Sequence, residues 1–149
     1  MLSCLKKEYI EQIYNLQIKN ISDFDDNIWS QLEIKNLMEK NGFFSRVFSH
    51  KGRVEGFAIF FQTDSYLDIY TLFVSPRYRN NGVADQIIES AFNYCKKKNL
   101  SKVTLEVNKR NQKAINFYKK KKFCIKGIRK NYYNCKGNLF DAILMERKI

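Results

Sequence analysis

The feature that most constrains this chain is a change of period at its middle. From Phe43 to Val74 it runs as three segments rich in aromatic and β-branched residues, Phe43–Ser49, Val54–Thr63 and Tyr66–Val74. The turn signal His50-Lys51-Gly52-Arg53 separates the first two. Runs of this kind read as strands in series, joined as a meander. Beyond Gly82 the period becomes helical, with Val83, Ile87, Ile88, Ala91, Phe92 and Cys95 on one face. Val103–Val107 is again a strand. Asn111 can cap a helix carrying Ala114, Ile115 and Tyr118. Phe123–Tyr133 and Leu139–Met145 close the chain as two strands. A meander feeding a strand–helix–strand crossover implies an α/β chain with a mixed sheet and helices on its faces.

The N-terminal part adds a short strand, Leu2–Leu5, and a helix over Glu8–Asn20 whose apolar residues Tyr9, Ile10, Ile13, Tyr14 and Ile18 fall at helical spacing. A polar, acidic loop, Ser22–Asn27, follows. Ser30 and Glu33 then form a capping-box pattern that opens a second helix ending near Gly42. A length of 149 residues suits a single domain over residues 1–149 with one core.

Composition narrows the function classes. The net charge is +12, which admits an acidic partner such as nucleic acid, anionic lipid or a phosphate-rich ligand. Lysine and asparagine are spread along the whole chain, however, whereas a dedicated basic face would be clustered. Compositional bias is the better reading, and no direct nucleic-acid role is expected. Cys4, Cys95, Cys124 and Cys135 form no C-x-x-C pair and none lies near His50 in a metal-like spacing, so free thiols and no metal are expected. No apolar stretch suits a signal peptide or a membrane span, so a cytoplasmic protein with no membrane role is expected.

Two local patterns point to chemistry. Between the third strand and the long helix lies Val74-Ser75-Pro76-Arg77-Tyr78-Arg79-Asn80-Asn81-Gly82-Val83-Ala84. Backbone N–H groups at a helix start have no intrahelical partner, and the helix dipole adds positive character, so a diphosphate fits there. Gly82 would let the backbone approach the phosphates, Ala84 keeps the first turn slim, and Arg79 could add a charge-assisted contact. Taken alone, the stretch is also compatible with an ordinary turn. It is neither a Walker loop nor a dinucleotide-binding fingerprint.

The second pattern is Leu105-Glu106-Val107, a lone carboxylate in an apolar strand, with Thr104 and Glu106 facing opposite to Val103, Leu105 and Val107. A solvent-facing glutamate and a core Tyr118 are the plain readings of the single residues. In combination, the loop, the glutamate strand and the capped tyrosine helix supply what acyl transfer from a thioester to an amine requires. That reaction needs a base for the ammonium (Glu106), an acid for the leaving thiolate (Tyr118) and donors for the oxyanion, near Phe73 and Val74.

At this point the chain resembles the GNAT superfamily of N-acetyltransferases. Arg79-x-x-Gly82-x-Ala84 matches the signature Gln/Arg-x-x-Gly-x-Gly/Ala. Phe73-Val74-Ser75-Pro76, Leu105-Glu106-Val107, Asn111 before Ala114-Ile115-Asn116-Phe117-Tyr118, Arg129-Lys130-Asn131-Tyr132-Tyr133 and Asp141-Ala142-Ile143-Leu144-Met145 are similar to the bacterial ribosomal-protein-alanine type. The resemblance spans roughly residues 70–146. It implies a GNAT fold, about seven strands in a mixed sheet flanked by four helices, with acetyl-CoA as co-substrate and no metal.

Residue by residue, the resemblance implies a general base at Glu106 acting through water and a general acid at Tyr118. It implies acetyl-CoA contacts at Phe73, Val74, Arg79, Asn80, Asn81, Gly82, Val83, Ala84, Asn111 and Tyr118. Tyr132 and Tyr133 would shape the acceptor pocket, with Trp29 as a packing anchor or acceptor wall. The implied acceptor is the N-terminal α-amine of a protein, an alanine on a ribosomal protein in the type matched, and the enzyme would be a monomer or weak dimer. A small-molecule amine or a lysine side chain is the alternative acceptor.

Three positions depart from that pattern. Lys121-Lys122-Phe123 replaces Leu-Gly-Phe, which puts lysine where a left-handed residue is wanted, at about 1 kcal/mol. Asn108 stands where arginine is usual, and Asn27-Ile28-Trp29-Ser30 replaces Phe-Pro-Trp-Ser. A basic acceptor would be repelled by so positive an enzyme, so acidic residues are expected at the acceptor mouth, with Asp23, Asp25 and Asp26 as candidates.

Overall fold

The computed structural model describes residues 1–149. Its strands are β1 (Leu2–Ser3), β2 (Phe43–His50), β3 (Arg53–Gln62), β4 (Tyr66–Val74), β5 (Lys102–Asn108), β6 (Cys124–Cys135) and β7 (Asn138–Lys148). Its α-helices are α1 (Ile10–Lys19), α2 (Gln31–Met38), α3 (Val83–Lys98) and α4 (Gln112–Lys120). The seven strands form one sheet in the order β1-β2-β3-β4-β5-β7-β6. Only β4 and β5 pair in parallel; every other neighbour is antiparallel. The expected mixed sheet with four helices is thus the observed one.

The sheet separates two apolar layers, where one core was expected. On one face α3 and α4 pack through Ile87, Ile88, Ala91, Phe92, Ile115 and Tyr118 on Phe60, Leu67, Ile69, Val103, Leu105 and Val107. On the other, α1 and α2 pack through Ile13, Ile34 and Leu37 on Val47, Phe57, Ile59 and Phe61. Phe57 and Phe60 are fully buried, each stabilising by about 1.5–3 kcal/mol. The β3 alternation explains the division, since Phe57, Ile59 and Phe61 face one layer while Ala58 and Phe60 face the other.

Local differences from the sequence reading have local causes. The α2 helix opens where the Ser30 hydroxyl accepts the Glu33 amide at 3.1 Å. It ends at Met38, earlier than Gly42. Gly42 instead starts the turn into β2 with φ +84°, where a Cβ would collide with the Gln62 carbonyl. The expected Ser22–Asn27 loop overlaps a 3-10 turn, Ile21–Phe24, whose Phe24 ring stacks on Phe57 and packs tilted against Phe73. Lys122 takes the left-handed conformation, φ +65°, that its position demanded.

Two features create the site. The β4–β5 ladder runs only from Tyr66↔Lys102 to Ile69↔Leu105. At its end Ile69 pairs with Phe60 but Thr71 with Ile59, so Tyr70 is an extra residue in β4. A bulge of this kind bends the strand that carries it. β5 meanwhile continues along β7 as far as Asn108↔Ala142. The outer halves of β4 and β5 therefore part, leaving unpaired strand edges between them.

Candidate active site

At the splay lies a cleft of about 580 Å³. Its floor is β4 and β5, with Asp68, Tyr70, Leu72, Glu106 and Asn108. One wall is the segment between α1 and α2, with Asp23, Phe24, Asp25, Asn27 and Trp29; the rest of the lining includes Asn111 just before α4, Ala114 and Tyr118 of α4, and Tyr132 and Tyr133 of β6. Glu106 faces this cleft because Leu105 and Val107 are committed to the α3 core, and alternation turns the residue between them to the other face. The α1–α2 layer does not reach that far, so the glutamate lines a cavity instead of a core.

The Glu106 carboxylate is half-buried, and Arg129 Nε lies 3.2 Å from its Oε1. Tyr132 lines the same cleft, and the negative charge of Glu106 is the first cause holding the Tyr132 phenol above its ordinary range. Burial raises Tyr133 in the same direction, with the charges of Asp25 and Glu106 adding. The two rings meet edge to face, 5.0 Å between centroids. They reach the cleft because β6 carries extra residues between Arg129↔Ala142 and Tyr133↔Phe140. Asp141 pins that bulge. Its Oδ1 accepts the Asn131 amide at 3.0 Å, at φ +52°, and its Oδ2 lies 3.2 Å from Lys130 Nζ.

Tyr118 is 7% exposed, and burial pushes its phenol well above the ordinary value of 10. It lines the cleft, and no side chain or backbone group of the protein hydrogen-bonds its hydroxyl. It therefore stays protonated at neutral pH. Asn111 caps α4 as expected, its Oδ1 accepting the Ala114 amide at 3.2 Å, and it also lines the cleft.

The loop before α3 is built as the sequence suggested. The backbone amides of Asn80, Asn81, Gly82, Val83, Ala84 and Asp85 donate to no protein acceptor; the first amide to close a helical bond is Gln86, to Gly82 at 3.0 Å. Gly82 takes φ +78°, and a Cβ there would meet nothing within 4 Å. Its glycine is required by conformation, and the space above it is open to a ligand. Six free donors at a helix start make a strong anion site.

Two of the expected cofactor contacts have other partners within the protein. Arg79 does not extend over this loop. Its Nε donates to the Val74 carbonyl at 2.8 Å and its Nη2 lies 3.2 Å from Asp23, so the side chain ties the loop to the α1–α2 segment. Phe73 presents neither side chain nor amide to the cleft. Ser75 donates to Glu55 of the strand before it, so antiparallel alternation turns Phe73 to β3 and the Leu72 and Val74 amides to the open edge. The Phe73 ring packs on Phe24 and Phe57.

Of the acidic candidates for the acceptor mouth, Asp23 and Asp25 line the cleft, and each is paired. Asp23 is bridged by Arg79. Asp25 accepts Asn108 Nδ2 at 3.0 Å and lies 3.4 Å from Arg110. Asp26 does not line the cleft. Trp29 does, while its backbone exchanges hydrogen bonds with Gln17 (2.9 and 3.1 Å), so it is both anchor and wall.

The residue missed in the sequence is Asp68. It lies in register with Thr104, whose hydroxyl donates to it at 2.6 Å, and it faces the same cleft as Glu106. The signal was present in Tyr66-Leu67-Asp68-Ile69-Tyr70, a lone carboxylate between two core residues, the same pattern that marks Glu106.

Comparisons with known proteins show the family. Residues 8–123 match the Acetyltransferase (GNAT) family. The ribosomal protein bS18-alanine N-acetyltransferase of Escherichia coli (strain K12) is 33% identical over 100 residues, 65% of this chain and 66% of its own. A Bacillus subtilis (strain 168) protein, provisionally named for the same activity, is 25% identical over 142 residues, 95% of this chain and 90% of its own. The crystal structure of the ribosomal-protein-S18-alanine N-acetyltransferase from Escherichia coli shares the fold, with a TM-score of 0.84 at 22% identity over 100% of this chain and 93% of that one.

Proposed function

The chain belongs to the GNAT acetyltransferase family and is an N-acetyltransferase, and from that premise we propose that it acetylates the N-terminal α-amine of a protein, an alanine on a basic ribosomal protein being the best candidate. The observation that carries this reading is the cleft at the β4–β5 splay, which places Glu106, Tyr118 and the Tyr132–Tyr133 pair around one space beside the loop of free amides.

Acetyl-CoA is the acyl donor in this reading and supplies a thioester. The amides of residues 80–85 would hold its diphosphate, and the open edge of β4, with the Leu72 and Val74 amides, would receive its arm and the thioester oxygen. Glu106 takes the proton of the acceptor ammonium through water. The Arg129 guanidinium, 3.2 Å away, holds that carboxylate in the cleft. Tyr118, kept protonated by burial, gives its proton to the departing sulfur.

The acceptor class follows from proton affinity. An α-amine loses its proton near pH 7.7–8.0 and a lysine near 10.4, so lysine costs about 3 kcal/mol more to deprotonate. One carboxylate acting through water suits the former. The test is CoA release with three basic peptides: a free N-terminal alanine, a blocked N-terminus with an internal lysine, and a blocked N-terminus without lysine. Turnover confined to the first supports the reading. Turnover on the second, or on none while acetyl-CoA binds, overturns it.

A further inference from the structure

Four carboxylates line the cleft: Asp23, Asp25, Asp68 and Glu106. Three of them already have a cation. Asp23 has Arg79, Asp25 has Arg110 and Glu106 has Arg129. Asp68 forms no salt bridge; its only hydrogen-bond partner is the neutral Thr104 hydroxyl. In a chain carrying +12, one negative charge of the site is thus left without an ion-pair partner. We infer that Asp68 is the binding partner of the acceptor's ammonium group, and so a specificity residue that selects a cationic chain end. The inference rests on the N-terminal reading above.

Position supports it. Asp68 pairs in register with Thr104, and Glu106 is the next residue of β5 on the same face. Neighbouring strands lie about 4.8 Å apart and two residues span about 6.6 Å, so both carboxylates reach one small volume. The charged groups around Asp68 are Glu106, Arg129 and the Tyr132 phenol. Burial raises the Asp68 carboxyl first, the Thr104 hydrogen bond opposes that, the charge of Glu106 adds to it, and the Arg129 guanidinium, which is ion-paired to Glu106, lowers it least. A carboxylate so placed is costly without a cation, and an entering ammonium supplies one.

The chemistry divides cleanly. An α-amine arrives mostly protonated at pH 7, since its ordinary pKa is about 7.7–8.0. Asp68 holds that ammonium, which favours the proton's staying on nitrogen. The proton is removed by Glu106, the carboxylate that Arg129 holds in place.

The test uses CoA-saturated enzyme, which cannot turn over, and calorimetry at pH 7. Two peptides differ only at the first residue, one bearing alanine and the other a propionyl group without the amine. The expected result is that the alanine peptide binds the native enzyme at least about 10-fold tighter, as one charge-assisted contact implies. In Asp68→Asn, which can keep the Thr104 hydrogen bond, the ratio should fall below about 3 while the propionyl peptide binds as before. A ratio that survives in Asp68→Asn overturns the assignment. Native enzyme that binds both peptides equally overturns it as well, and native enzyme that binds neither removes the N-terminal reading and this one with it.

Discussion

Arg79 Nη2 lies 3.2 Å from Asp23 Oδ2 while its Nε holds the Val74 carbonyl at 2.8 Å, so one guanidinium joins the end of β4, the amide-rich loop and the segment between α1 and α2. The two halves of the cleft are thereby set relative to each other. Both partners of the Asp23 pair are about 40% exposed, so the pair itself stabilises by no more than about 1 kcal/mol. The value of the residue lies in geometry. Arg79→Ala should raise KM for acetyl-CoA and for the acceptor peptide together, each about 5- to 10-fold, with Tm lowered by only a few degrees. Steady-state kinetics with both substrates varied would check this; a rise confined to acetyl-CoA would limit Arg79 to the loop.

Glu106 and Tyr118 should separate binding from chemistry. Glu106→Gln should lower kcat by about 10²- to 10³-fold, and Tyr118→Phe by about 10²-fold. Neither should change the dissociation constant of acetyl-CoA by more than about threefold. The Tyr118 hydroxyl has no protein partner, so its removal should leave stability within about 1 kcal/mol of the native chain. Unfolding midpoints and single-turnover rates measured on the same preparations decide the matter.

Lys122 sits at φ +65° two residues past the end of α4, with its amide on Lys119 at 2.9 Å. A side chain in that conformation costs about 1 kcal/mol relative to glycine. Lys122→Gly should therefore raise Tm by about 2–4 °C without a change in kcat. A lower Tm would mean that the lysine makes a compensating contact.

The bulge that carries Tyr132 and Tyr133 depends on Asp141. The Asn131 amide, then the Lys130 ammonium, hold the Asp141 carboxyl below the usual carboxylate range. A carboxyl depressed in the folded state contributes stability that is present above its unfolded value, about 3.9, and is lost as pH falls through the folded value. The Tm difference between the native chain and Asp141→Asn should be fully open above about pH 5 and close below about pH 4. A difference constant from pH 3 to pH 7 would refute the charged role. Acceptor KM should rise in the same variant, because the two tyrosines lose their support.

Much of this was written in the linear chain. The switch from alternating to helical period around Gly82 determined the mixed sheet, because periodicity follows from which face of each element meets the core. Gly82 and the residues after it announced a helix start with free amides, and alternation alone turned Glu106 away from Val103, Leu105 and Val107. These are local properties, readable one element at a time. What only the tertiary structure decided is which of the charged groups meet. Asp68 and Glu106 are 38 residues apart in the chain (68 to 106), and they share a cleft because β4 and β5 pair in parallel and then part at the Tyr70 bulge. Arg79 was read toward phosphate and Asp23 toward the acceptor, yet the fold brings them together and each neutralises the other. Charge pairing depends on distance through space, which the order of residues does not contain, and so the one cleft carboxylate left without a cation could be found only after the strands were in place.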